Sequence, residues 1–107
     1  MRRHGRQVML RDGEDDRYLI AWVDEQGRFH LDGQDLGPAT AVVSSRGEYE
    51  WFHTIAATDV PRVLTLIGAD QDDDILDVLE RNWAGSRAAT LEKLLADSDI
   101  DLATHII

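Results

Sequence analysis

The sequence contains no cysteine. That absence removes disulfides, thiolate metal sites and cysteine nucleophiles together, and it fits a reducing cytosol. No apolar run approaches the roughly 20 residues that a bilayer-spanning helix needs. The basic start, Met1-Arg-Arg-His-Gly-Arg6, is followed by no apolar stretch, so a secretory signal is not expected. There is no Gly-rich phosphate loop, no nucleophile elbow around Ser44 or Ser45, no internal repeat and no low-complexity tract. The expectation is a soluble cytoplasmic protein without membrane contact.

What the chain does have is acid. Its 107 residues carry 21 Asp and Glu against 11 Lys and Arg, for a net charge of -10. Four arginines (Arg2, Arg3, Arg6 and Arg11) lie in the first eleven residues with no acid among them. From Asp12 onward, 21 acids face seven bases. Such a body repels nucleic-acid backbone and anionic lipid and attracts a basic partner. The plainer use of the same charge is solubility. Length and a hydrophobic share of 43% suit one domain over 1-107 with a small core, residues 1-6 being read as a flexible basic tail.

Strand patterns come first. Residues 7-11 read as a short strand and Asp12-Gly13 as a turn. Arg17 to Val23 is apolar on both faces: Tyr18, Ile20 and Trp22 on one, Leu19, Ala21 and Val23 on the other. That predicts a central strand covered on both sides, with Ile20 and Trp22 in the core. Asp24 to Gly27 reads as a hairpin loop. In Arg28 to Asp32, Phe29 and Leu31 face in while Arg28, His30 and Asp32 face out. Gly33 to Pro38 reads as irregular, Ala39 to Ser44 as a helical turn and Ser45 to Gly47 as a turn. Glu48 to Ala57 alternates again, with Tyr49, Trp51, His53 and Ile55 opposite Glu50, Phe52 and Thr54.

Helical spacing follows. Thr58 or Asp59 is expected to cap a helix with Pro61 in its first turn, with Val60, Val63, Leu64 and Ile67 as its stripe and Gly68 as its stop. Asp70 or Asp72 is expected to cap a second helix that buries Ile75, Val78, Leu79 and Trp83 and pairs Asp77 with Arg81. Ser86 is expected to cap a third, with Ala88, Leu91, Leu94 and Leu95 inward. Ile100 to Ile107 is read as a final strand.

Chemical motifs are thin. Asp70, Asp72 and Asp74 have the 1, 3, 5 spacing of a calcium loop, but Ile75 stands where the turn needs Gly and Arg81 where the bidentate Glu belongs. His4, His30, His53 and His105 form no metal-binding pattern. Glu48 and Glu50 share a strand face, as paired carboxylates of acid-base sites can. No catalytic residue, metal or cofactor is expected from these patterns. Trp22, Trp51 and Trp83 read as core anchors, any exposed one marking a partner surface.

At Asp32-Gly-Gln-Asp-Leu-Gly-Pro38, Glu48-Tyr-Glu-Trp51 and Asp59-Val-Pro-Arg-Val-Leu64 the chain resembles a group of small, acidic, uncharacterised actinobacterial proteins. The resemblance spans about Tyr18 to Leu95, rests on turns and caps, and implies no activity or functional residue. The Arg-rich start departs from that group.

The sequence therefore predicts an α+β domain, an antiparallel sheet of four to five strands with two to three helices packed on one face. Its expected role is a non-enzymatic acidic protein-interaction module, an antitoxin-like or immunity-like binder of a basic protein. Asp70, Asp72, Asp73, Asp74, Asp77 and Glu80 form the candidate face, six acids with no base between them. A nucleic-acid mimic that regulates a DNA-binding protein, itself binding no nucleic acid, is the alternative. A small enzyme using His53 and Glu50 is another. Homodimerisation is expected because a small open sheet exposes two edges.

Overall fold

The computed structural model describes residues 5-13, 17-35 and 49-106. The expected helical turn at 39-44, the turn at 45-47, Glu48, Ser44, Ser45 and His4 lie outside the described residues. Five strands, β1 (Gln7–Asp12), β2 (Arg17–Val23), β3 (Phe29–Asp35), β4 (Tyr49–Ile55) and β5 (Ala103–Ile106), form one antiparallel sheet in the order of the chain. Between β4 and β5 run α1 (Val60–Leu66), α2 (Ile75–Asn82) and α3 (Ala88–Asp97). The result is an α+β domain, as the succession of strands and then helices requires.

Period-two alternation decides which face meets the helices. Val8, Leu19, Ala21, Phe29, Leu31 and Ile55 turn one way and meet Val63, Leu79, Trp83, Leu91 and Leu95 in a single core. Burying each of the larger side chains is worth about 1.5–3 kcal/mol. Leu10, two residues on from Val8, is buried on the same face, at a bulge between Met9 and Arg11 in the pairing with β2.

Among the described residues the helices lie on one face of the sheet, where Leu19 and Ala21 meet them in the core. On the other face Trp22 is buried as expected and stacks on His30, whereas Ile20, also expected in the core, is half-buried, as is Tyr18. His30 and Asp32, expected to face out, do point away from the helices. They are nevertheless buried, at 5% and 4% exposure.

β3 also runs further than expected, through Gly33 to Asp35. The reason lies across the ladder, where Gly33 pairs with Trp51. A Cβ on Gly33 would sit 2.1 Å from the indole, so the missing side chain is the space that Trp51 occupies. Trp51 is half-buried, whereas Trp22 and Trp83 are buried.

The helix caps differ from expectation for one physical reason. A capping residue needs extended backbone so that its side chain can reach back to free amides. The chain enters α1 and α3 through 3₁₀ turns, Ala57–Asp59 and Gly85–Arg87, leaving Asp59 and Arg87 in helical conformation with no side-chain cap. Thr58, Asp59 and Ser86 therefore do not cap. α2 is entered from an extended residue, Asp74, whose carboxylate accepts the Leu76 and Asp77 amides at 2.9 and 3.1 Å. Asp70 and Asp72 lie in the preceding loop.

Candidate functional site

Two surfaces gather functional chemistry. The first is the acidic face of the loop and helix at 70-80. Asp70, Asp72, Asp73, Asp74, Asp77 and Glu80 are all exposed. Asp73 accepts the Asp70 amide within the loop at 2.9 Å. Asp74, Asp77 and Glu80 converge on a guanidinium from the other end of the chain. Arg6 lies 3.5 Å from Asp74, 2.5 Å from Asp77 and 3.7 Å from Glu80. The Asp77 hydrogen bond raises the Arg6 pKa above its ordinary value, with all three carboxylates adding attraction. Arg6, four residues before Leu10, is thus tied to α2, and Asp77 takes this cation in place of the expected Arg81. Sequence reasoning missed the contact. Its signal was the arginine cluster lying ahead of a body dominated by acids.

The carboxylates at 70, 72 and 74 do not assemble a calcium loop, because Asp74 spends one oxygen on two helix amides. Among the described residues no group of three or more His, Asp or Glu side chains could hold a metal ion.

The second surface is the face of the sheet turned away from α1, α2 and α3. The register sets cross-strand rows upon it: Trp22–His30–Thr54, Ile20–Asp32–Phe52 and Tyr18–Gln34–Glu50. In the first row Trp22 stacks on His30, with centroids 4.1 Å apart and planes 14° apart. The Trp22 indole N–H donates to Asp32 Oδ2 at 3.0 Å. His30 Nε2 meets Asp24 Oδ2 at 2.7 Å, and its Nδ1 meets Thr54 Oγ1 at 3.2 Å. An ionised carboxylate only accepts, so His30 Nε2 donates to Asp24.

Asp24 also accepts from Arg28 Nε at 2.7 Å and from the amides of Gln26 and Arg28. Burial works against its charge, but the bonds from His30, Arg28 and the backbone outweigh that cost and hold the carboxyl well below the usual range. An Asp-His-Thr relay resembles an activated hydroxyl. Thr54, however, is not among the walls of the cavity on this face, which is lined by Tyr18, Ile20, Asp32, Gly33, Gln34, Glu50 and Phe52. The relay ties the β2–β3 hairpin to β4. Sequence alternation placed His30 and Asp32 correctly by direction but missed their burial. The signal was Trp22 on the same face.

His53 and Glu50 are not brought together. His53 faces α3, with Nδ1 2.9 Å from Thr104 Oγ1 and Nε2 3.8 Å from Glu92. Glu92 also accepts the Trp51 indole N–H at 2.9 Å. Glu50 lies on the opposite face, in the cavity wall.

Among the described residues no helix is long and apolar enough to cross a membrane. No protein-family model matches the chain, and neither the curated proteins nor the solved structures give a significant match.

Proposed function

We propose that this chain is a non-enzymatic, cytoplasmic interaction module that binds a basic protein through Asp70, Asp72, Asp73, Asp74, Asp77 and Glu80, in the manner of an antitoxin-like or immunity-like neutraliser. The observation that supports the reading is Arg6. Three carboxylates of this face already surround a guanidinium, so the spacing of their oxygens suits an arginine side chain. The contact is exposed, with Arg6 and Asp77 side chains 44% and 55% accessible. Solvent screens exposed ion pairs and leaves them weak, so an incoming arginine displaces Arg6 at small cost. Asp70 and Asp72 extend the negative surface beyond the contact and attract the partner from a distance.

Co-purification from native cell extract, followed by association kinetics at several salt concentrations, tests the proposal. The combined change Asp72→Asn, Asp73→Asn and Asp77→Asn is expected to abolish partner recovery while leaving the melting temperature nearly unchanged. The change Arg6→Gln, which removes the internal competitor, is expected to speed association. Association is expected to slow steeply as the Debye length shrinks below about 8 Å. Partner recovery that survives the triple change would reduce the acids at 70-80 to a helix cap and a solubilising surface.

A further inference from the structure

Among the described residues, two rows run from a hydroxyl through an imidazole to a carboxylate. The first, Thr54–His30–Asp24, is shielded: Thr54 is half-buried and His30 is 5% exposed. The second lies on the helix side of the sheet, at its β5 edge. Thr104 Oγ1 stands 2.9 Å from His53 Nδ1, and His53 Nε2 stands 3.8 Å from Glu92 Oε2. Here the hydroxyl is at the surface. β5 ends the sheet order and all four of its residues are exposed, Thr104 among them. His53 and Glu92 behind it are half-buried. A molecule from solvent therefore reaches the hydroxyl of the second row and not that of the first.

Each member is held from a different element. The register sets Thr104 directly across from His53, and side chains so placed are close enough to touch. Glu92 comes from α3 and is fixed by a second contact, the Trp51 indole N–H, which donates to Oε2 at 2.9 Å. At 3.8 Å the carboxylate is too far for a hydrogen bond to the ring. Its charge nevertheless favours a ring proton on Nε2 over one on Nδ1. With the proton on Nε2, Nδ1 offers its lone pair to the Thr104 hydroxyl. An adjacent base of this kind activates a hydroxyl as a nucleophile. Backbone pairing at the edge of β5 leaves the Thr104 side chain on the sheet face.

We propose that Thr104 is an acyl-acceptor site for an activated ester or thioester, with His53 as its general base and Glu92 as the positioning residue that holds the His53 tautomer. Thr104 Oγ1 attacks the acyl carbon and its proton passes to His53 Nδ1. An ester C–O bond forms, the bond from the acyl carbon to the leaving oxygen or sulfur breaks, and the leaving group departs with that electron pair. The proton on His53 then goes to the leaving group or to water. One acyl group is transferred per chain, so the site marks the protein rather than turning substrate over. It does not depend on the acids at 70-80.

The experiment treats the full chain with p-nitrophenyl acetate at about pH 8, above the range in which imidazoles ordinarily titrate. Adducts are mapped by peptide mass spectrometry before and after hydroxylamine, which removes esters and leaves amides. The wild type is expected to carry a hydroxylamine-labile acetyl on Thr104, formed at least about tenfold faster than on Thr54 or any other Ser or Thr. His53→Gln is expected to slow modification at Thr104 by about a hundredfold or more, and Thr104→Ser to retain it. Long-range proton–nitrogen NMR correlations report the tautomer. His53 is expected to carry its proton on Nε2 in the wild type and to lose part of that preference in Glu92→Gln, which a merely structural role of Glu92 would not produce. The wild type alone can overturn the proposal, by showing no labile acetyl on Thr104, equal acetylation of Thr54, or a neutral His53 with its proton on Nδ1. An unchanged Thr104 rate in a folded His53→Gln protein, or an unchanged tautomer in Glu92→Gln, would overturn it as well.

Discussion

At the scale of single residues, Gly33 is the most constrained position on the sheet. Gly33→Ala places a methyl group 2.1 Å from the Trp51 ring. The indole must then swing away and release Glu92. Overpacking of this kind costs about 1–3 kcal/mol, and a lowered denaturant midpoint with an unchanged slope is the expected readout. Asp24 makes the second prediction. Its folded-state pKa is depressed, so its contribution is fully present above the unfolded value of about 3.9 and is lost as pH falls through the lower folded value. Denaturant melts of the wild type between about pH 5 and pH 2 are expected to show falling stability, and Asp24→Asn is expected to flatten that slope. Neither residue stood out in the sequence. A glycine followed by Gln, Asp, Leu, Gly and Pro looks like a loop until its cross-strand neighbour is known to be a tryptophan. Asp24 sits in a hairpin where aspartate is common for local reasons, and its bond to His30 appears only once the hairpin closes.

At the scale of elements, the acids ahead of α2 divide into one cap and several surface charges. Asp74→Ala is expected to cost about 0.5–2 kcal/mol through loss of two amide bonds. Asp72→Ala is expected to leave the melting curve within about 0.5 kcal/mol of the wild type. Calorimetry on the two proteins separates them. The stripe Ile75, Val78, Leu79, Trp83 was legible because its spacing admits only one buried face. The cap was not, because four of the five residues from Asp70 to Asp74 have a capping side chain and only backbone conformation selects among them. β5 was legible as a strand, but its partner was not. Nothing in Ala103–Ile106 says that it returns across three helices to lie beside β4.

That placement decides a prediction about assembly. β5 forms one edge of the sheet, all four of its residues are exposed, and Ile106 is 54% exposed. The other edge, β1, carries a bulge, and Arg6 just before it is tied to α2. The edge without a bulge is the one available for pairing. We expect antiparallel β5–β5 pairing between two copies, with light scattering giving about twice 12.1 kDa in the micromolar range. Ile106→Lys is expected to return the mass to that of one chain. A wild-type mass of 12.1 kDa at all those concentrations would rule the pairing out.

At the scale of the whole molecule, the sheet is a meander whose neighbours in space are neighbours in sequence. Strands that succeed one another antiparallel place the first residue of β1 and the last residue of β5 at opposite edges and at opposite ends of the sheet. The register sets Gln7 in one row with Trp22, His30, Thr54 and Ala103, so Ile106 stands four strand spacings across the sheet from it, about 19 Å, and three residues along, about 10 Å. A load applied between Gln7 and Ile106 therefore runs mainly across the strands, in the direction of the ladder hydrogen bonds. Pulled from those two points, the sheet is expected to part ladder by ladder, whereas a load directed along the strands would have to shear a whole row of bonds at once.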